Sequence, residues 1–151
     1  MNELNSVLRS LQKCSSLVDK PWSIEADSDS NNCTFKGVII GGVDTPIWGS
    51  VFNFNLFIDS DNLTAPPRVT FSSDTYHPLI EPIYGTFCFP SNSYNLSSRM
   101  PMESFLDELY SLFLLKYPLS SPVNTEAYNT FTTSPSRFWA ILRQKSLSSI
   151  E

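Results

Sequence analysis

The chain has 151 residues, 41% of them hydrophobic, with three Trp, six Tyr and eleven Phe. That is enough apolar mass for one ordinary domain with a real core, and it excludes a wholly disordered chain. Ten basic against fifteen acidic residues leave a net charge of -5, which argues against a surface built around phosphate backbones and so against a nucleic-acid partner. A single His rules out a multi-His metal centre, and no residue pattern asks for a metal or a cofactor. No stretch approaches the roughly 20 apolar residues of a membrane-spanning helix. The start carries Glu3, Arg9 and Lys13 and lacks the apolar run of a secretory signal, so the expected compartment is the cytoplasm, with the nucleus open and secretion excluded. Cys14, Cys33 and Cys88, odd in number and widely spaced, fit reduced thiols rather than a disulfide framework.

Leu4, Val7, Leu8 and Leu11 stand at helical spacing, which predicts an amphipathic helix over 2–13. Lys20-Pro21 ends what precedes it, and Trp22-Ser23-Ile24 begins a strand. The polar run from Asp27 to Asn32 reads as a hairpin turn. A second strand spans 35–41. Asp44-Thr45-Pro46 is another turn. From Val51 to Ile58 the chain alternates, with Phe52, Phe54, Leu56 and Ile58 on one side and Val51, Asn53 and Asn55 on the other, as a half-buried strand does. A short fourth strand, 68–71, follows Pro66-Pro67. Four strands joined by turns imply an antiparallel meander. Residues 73–100 hold no sustained period. A long irregular stretch of this kind inside a domain is usually functional. The strongest helical pattern covers 102–116, with Phe105, Leu106, Leu109, Leu112 and Phe113 inward and Pro118 as its stop. A short helix over 125–131 and a last one, opened by Ser134-Pro135 and running to about Arg143, complete the chain. The layout is α+β: an N-terminal helix, a four-stranded antiparallel meander, then helices packed on one face. Residues 1–145 form a single domain, and 146–151 read as a flexible tail.

Several motifs recur in this order in one known family. They are Phe35-Lys36-Gly37-Val38-Ile39, then Asp44-Thr45-Pro46 followed by Gly49 and Val51-Phe52, and Ala65-Pro66-Pro67-Arg68-Val69. Tyr76-His77-Pro78 with Gly85-x-x-Cys88 comes next, and Ser121-Pro122-Val123-Asn124-Thr125-Glu126-Ala127 last. Together they resemble the ubiquitin-conjugating enzymes over roughly residues 2–142. Each motif alone is ordinary punctuation, and their order carries the inference.

The resemblance implies thioester chemistry, in which a Cys thiolate accepts the C-terminal carbonyl of ubiquitin and a lysine amine then attacks it. That chemistry needs a nucleophile, a donor for the oxyanion and a group that helps deprotonate the lysine. Cys88 stands at the family's cysteine position. The surroundings depart from the pattern. The family's His-Pro-Asn is His77-Pro78-Leu79, and leucine carries no donor where the Asn amide is expected to serve the oxyanion. Loss of one such donor typically costs about 100- to 1,000-fold in rate. The spacing from His77 to Cys88 is one residue longer than in the typical active enzyme. The family's acidic group before the Pro-Leu-Asn motif is replaced within Ser120-Ser121. The ligase-contact loops are degenerate: Asn62-Leu63-Thr64 lacks the aromatic anchor, and Arg99-Met100-Pro101 replaces Trp-x-Pro. The first helix offers the activating enzyme only Arg9 and Lys13. His77 reads as structural, its ring bonded to backbone, and Cys88 as a small apolar residue beside Phe87 and Phe89.

A closer resemblance lies in Tyr76-His77-Pro78-Leu79-Ile80-Glu81-Pro82-x-x-Gly85, which is similar to the corresponding segment of the fused-toes, or AKT-interacting, proteins. These are inactive ubiquitin-conjugating variants with an acidic residue where this chain has Cys88. This resemblance implies a protein-interaction scaffold whose partners include a coiled-coil adaptor of the Hook type, in a complex that links vesicle cargo to dynein. Trp48, Phe89, Tyr94, Met100 and Met102 are candidate contact residues, with burial in the chain's own core the simpler expectation for each. Two other functions stay open. One is a divergent active enzyme with a ubiquitin thioester on Cys88. The other is a variant that holds ubiquitin non-covalently beside an active conjugating enzyme.

Overall fold

The computed structural model describes residues 2–17, 19–26, 33–90, 96–98, 100–119 and 122–150. The elements run α1 (Asn2–Cys14), β1 (Trp22–Ala26), β2 (Thr34–Ile40), β3 (Val51–Phe57), β4 (Arg68–Phe71), α2 (Met102–Phe113), α3 (Thr125–Thr133) and α4 (Pro135–Ile150). The four strands pair antiparallel in chain order. The turn expected at Asp27 to Asn32 lies outside the described residues.

Alternation along the strands decides which face is buried. Phe52, Phe54 and Leu56 point inward from β3, while Asn53 and Asn55 are exposed. Trp22 and Ile24 of β1, Phe35 and Ile39 of β2, and Val69 and Phe71 of β4 join them. Gly37 sits opposite Phe54, and a Cβ there would collide with the Phe54 ring, so the glycine makes room for the aromatic side chain. Helix α2 covers this face. The Phe113 ring lies 5.0 Å from Phe52 and 5.3 Å from Phe71, centroid to centroid, and Phe105, Leu106, Leu109 and Leu112 are buried with it. The first turn of α2 has no cap of its own from Pro101. Instead Ser10 of α1 accepts a hydrogen bond from the Met102 amide at 3.0 Å, satisfying a donor that a helix start otherwise leaves unpaired. Lys20 pairs with Glu103 and Asp107 of α2, and the Trp22 indole N–H donates to Asp107 at 2.9 Å. Helix α1, the start of β1 and α2 are thereby fastened at one end.

Two helix ends differ from the sequence expectation. Helix α2 stops at Phe113 rather than Lys116 because Leu115 adopts a left-handed conformation, φ 56°. The Leu115 and Lys116 amides then turn back onto the carbonyls of Leu112 and Ser111, so the chain reverses before Pro118 is reached. Helix α4 runs on to Ile150, through residues expected to form a flexible tail. The reason is Ser146, which is buried and bonds both backbone groups of Val51: its hydroxyl donates to the carbonyl and accepts from the amide. No helix among the described residues is long and apolar enough to cross a membrane.

Candidate functional site

Between β4 and α2 no regular element forms, yet residues 77–88 are closely organised. Thr86 bridges Thr70 of β4, and Ile80 bridges Phe87. The Phe71 and Phe87 amides donate to the carbonyls of Gly85 and Val69, both at 2.8 Å. The segment is therefore a small hairpin laid along the β4 edge. It removes the free edge that would otherwise invite pairing with another chain.

His77 lies at its base, fully buried. Its Nε2–H donates to the Phe113 carbonyl at 2.8 Å, its Nδ1 accepts from the Leu79 amide at 3.0 Å, and its ring stacks on Phe113 at 4.8 Å. Burial pushes its pKa down to about 4, only partly offset by the bond to Phe113. A neutral imidazole with both nitrogens committed to backbone has no free site to take a proton from a reactant. The ring's work is to hold the irregular segment against the end of α2. The Pro78 carbonyl accepts from the amides of Val123 and Asn124, and Asn124 caps α3 by accepting from Ala127. The approach to α3 is thereby tied to the same base.

Leu79 follows with its side chain buried, 1% exposed. Its amide is spent on His77 and its carbonyl accepts from the Cys88 amide at 2.7 Å. Leu79 thus stands beside Cys88 through backbone alone, and its side chain offers no donor at the surface. Cys88 is half-buried. Its Sγ makes one weak contact among the described residues, to the Thr86 carbonyl at 3.8 Å. Burial, and next the Glu81 carboxylate, push its pKa up, so less thiolate is present at neutral pH than an ordinary cysteine would supply. Cys14 is a different case: buried beneath α1, with burial raising its pKa to about 11, it is a core residue. No disulfide joins Cys14, Cys33 and Cys88 among the described residues.

The other predicted site residues divide. Asn62 and Thr64 are exposed and hydrogen-bonded to each other, whereas Leu63, predicted as a partner contact, is buried and faces the core. The loop holding them is joined to the segment before α2 by Ser98, whose amide and hydroxyl both donate to the Ala65 carbonyl. Met100 is half-buried and Pro101 exposed beside that junction. The two loops expected to contact a ligase are therefore neighbours in space. Arg99, Tyr94 and Ser120-Ser121 lie outside the described residues. Phe89 is half-buried and Met102 fully buried, but Trp48 is 62% exposed, against the expectation of burial. Its neighbour Ile47 takes the core position instead, because the Gly41 and Ser50 backbones close the β2–β3 loop around Ile47. Arg9 and Lys13 are exposed on α1.

The feature that motif reading passed over is the tip of the hairpin. Ile83 and Tyr84 are 71% and 79% exposed. Turn tips are ordinarily polar, so an apolar pair inside Glu81-Pro82-Ile83-Tyr84-Gly85 was the available signal.

The sequence profile of the family described as ubiquitin-conjugating enzyme matches residues 4–146. The chain is 30% identical over 128 residues to the ubiquitin-conjugating enzyme E2 2 of Debaryomyces hansenii, covering 83% of this chain and 74% of that protein. It is 32% identical over 117 residues to the protein of the same name in Aspergillus fumigatus, covering 75% and 74%. The solved structure of a Toxoplasma gondii ubiquitin conjugating enzyme E2 domain superimposes with a TM-score of 0.75 over 97% of each chain at 20% identity, a likeness of fold. With the helix, meander and helices in this order, the chain belongs to the ubiquitin-conjugating enzyme family.

Proposed function

We propose that this family member forms no ubiquitin thioester and acts by binding other proteins. One observation carries the reading: the residue at the family's oxyanion-donor position, Leu79, is buried and apolar, and its backbone polar groups are both engaged. An acyl transfer at Cys88 would lack the preorganised side-chain donor that stabilises a tetrahedral intermediate, a loss of about 100- to 1,000-fold. The raised pKa of the Cys88 thiol and the degenerate ligase-contact loops support the same conclusion. The finer placement, beside the fused-toes proteins with a Hook-type coiled-coil partner, rests on the segment from Tyr76 to Gly85.

A second reading is a divergent active enzyme. It is favoured by Cys88 itself, a half-exposed thiol at the family's cysteine position. A charging assay with activating enzyme, ATP and ubiquitin separates the two, analysed without reductant by intact mass, with an active conjugating enzyme as control. The proposal expects no adduct. A reductant-sensitive adduct that Cys88→Ser abolishes would establish the second reading instead.

A further inference from the structure

Ser134 is the one residue between α3 and α4. Its amide donates to the Thr130 carbonyl at 2.8 Å, and its carbonyl accepts from the Phe138 amide at 3.0 Å. The proline that follows holds it in a non-helical conformation, φ -150° and ψ 79°. Residues 132–137 are all exposed, so the hydroxyl lies within a continuous stretch open to another protein. That hydroxyl makes no hydrogen bond among the described residues. A serine or threonine followed at once by proline occurs at Thr45-Pro46, Ser121-Pro122 and Ser134-Pro135, and only the last has a basic residue three positions on, Arg137. Hydroxyl, proline and then a cation form the pattern that proline-directed serine/threonine kinases select: the ring fixes the backbone and presents no N–H, and the guanidinium pairs with an anionic site. Thr45 is a poorer acceptor in the fold as well, half-buried with its hydroxyl donating to the Gly42 carbonyl at 2.7 Å. A phosphate on Ser134 would meet no carboxylate in the first turn of α4, which has no acidic residue. The Ser136 and Arg137 amides have no hydrogen-bond partner among the described residues. They and the Arg137 side chain can take up phosphate oxygens.

We propose that Ser134 is the phosphate acceptor of a proline-directed serine/threonine kinase. The Ser134 hydroxyl oxygen attacks the γ-phosphorus of the kinase's ATP. An Oγ–P bond forms, the bond from that phosphorus to the bridging oxygen breaks, ADP leaves, and the hydroxyl proton passes to the kinase's base. The product places a charge of about -1.5 to -2 at the α3–α4 joint, where it steadies the start of α4. This holds whether or not Cys88 accepts ubiquitin.

Incubation of the full chain with ATP and a proline-directed kinase tests the assignment. Intact mass counts the phosphate, fragmentation places it, and the kinase's own peptide substrate serves as control. The expected result is one phosphate, on Ser134. It is absent from Ser134→Ala, restored in Ser134→Thr, and acquired more slowly by Arg137→Gln. Exchange of the Ser136 and Arg137 amides slows about two- to fivefold in the phosphorylated chain, and phosphatase treatment reverses the change. Unfolding midpoints confirm that each variant is folded. A chain left unmodified while the control is phosphorylated overturns the assignment. Phosphate on Thr45 or Ser121 in place of Ser134 overturns it too, as does uptake that Ser134→Ala leaves unchanged. Thioester formation is read separately by the charging assay.

Discussion

His77, Pro78, Leu79 and Ile80 are all buried, while Pro82, Ile83 and Tyr84, which follow them across the half-buried Glu81, are all exposed. The two stretches belong to one hairpin but are held by different forces. The first is fixed by side chains: an imidazole stacked on Phe113, and Leu79 and Ile80 in the core. The second is fixed by backbone amides gathered on the Glu81 carboxylate and by a glycine pressed on β4. The buried half is thus committed to stability, and the exposed half keeps its side chains in solvent. Substitutions in the two halves should separate accordingly.

The largest effect belongs to the buried half. His77→Ala removes a stacked ring and leaves the Leu79 amide and the Phe113 carbonyl without their partner. The expected loss is about 3–4 kcal/mol in a urea unfolding curve. Titration sharpens the same point. The folded pKa of His77, about 4, lies below the ordinary 6.5, so the unfolded chain takes up the proton first as the pH falls. The contribution is full above pH 6.5 and is lost progressively down to about pH 4, up to about 3 kcal/mol in all. As the chain has a single His, the difference between the wild type and His77→Gln across that range isolates it. A flat difference would mean that the ring is not held neutral.

Gly85→Ala attacks the joint between the halves. A Cβ against the Phe71 carbonyl at positive φ should cost about 2 kcal/mol or more and loosen the turn. Amide exchange at Tyr84 and Gly85 should rise with it. Ser146→Ala removes the latch between α4 and β3 and should cost about 1–2 kcal/mol. The last turns of α4 should then exchange faster. The smallest effect belongs to the exposed tip. Ile83→Ser and Tyr84→Ser should change stability by less than about 0.5 kcal/mol each, measured by the same unfolding curves. A larger loss would mean that the tip is part of the core and would remove the contrast.

Much of the architecture was legible because its signals are local. The alternation of Phe52, Phe54 and Leu56 fixes one face of β3, and the stripe from Phe105 to Phe113 fixes the inward face of α2. The positions of His77 and Cys88 were equally legible, since ordered motifs carry them. What the His77 ring touches was not, because its partner, Phe113, is distant in the chain. Leu63 looked available beside Asn62 and Thr64, and Trp48 looked like a core residue. In each case the residue that faces inward was decided by how the loop closes.

The sequence by itself determined the class of fold and the four-strand order, because periodicity and residue type act over a few positions. The tertiary structure alone decided that Ser146 latches onto Val51, that α2 ends at Phe113, and that Ile83 and Tyr84 stand on a locked turn. Each of these depends on a backbone group brought into reach by packing, and no local pattern encodes that distance.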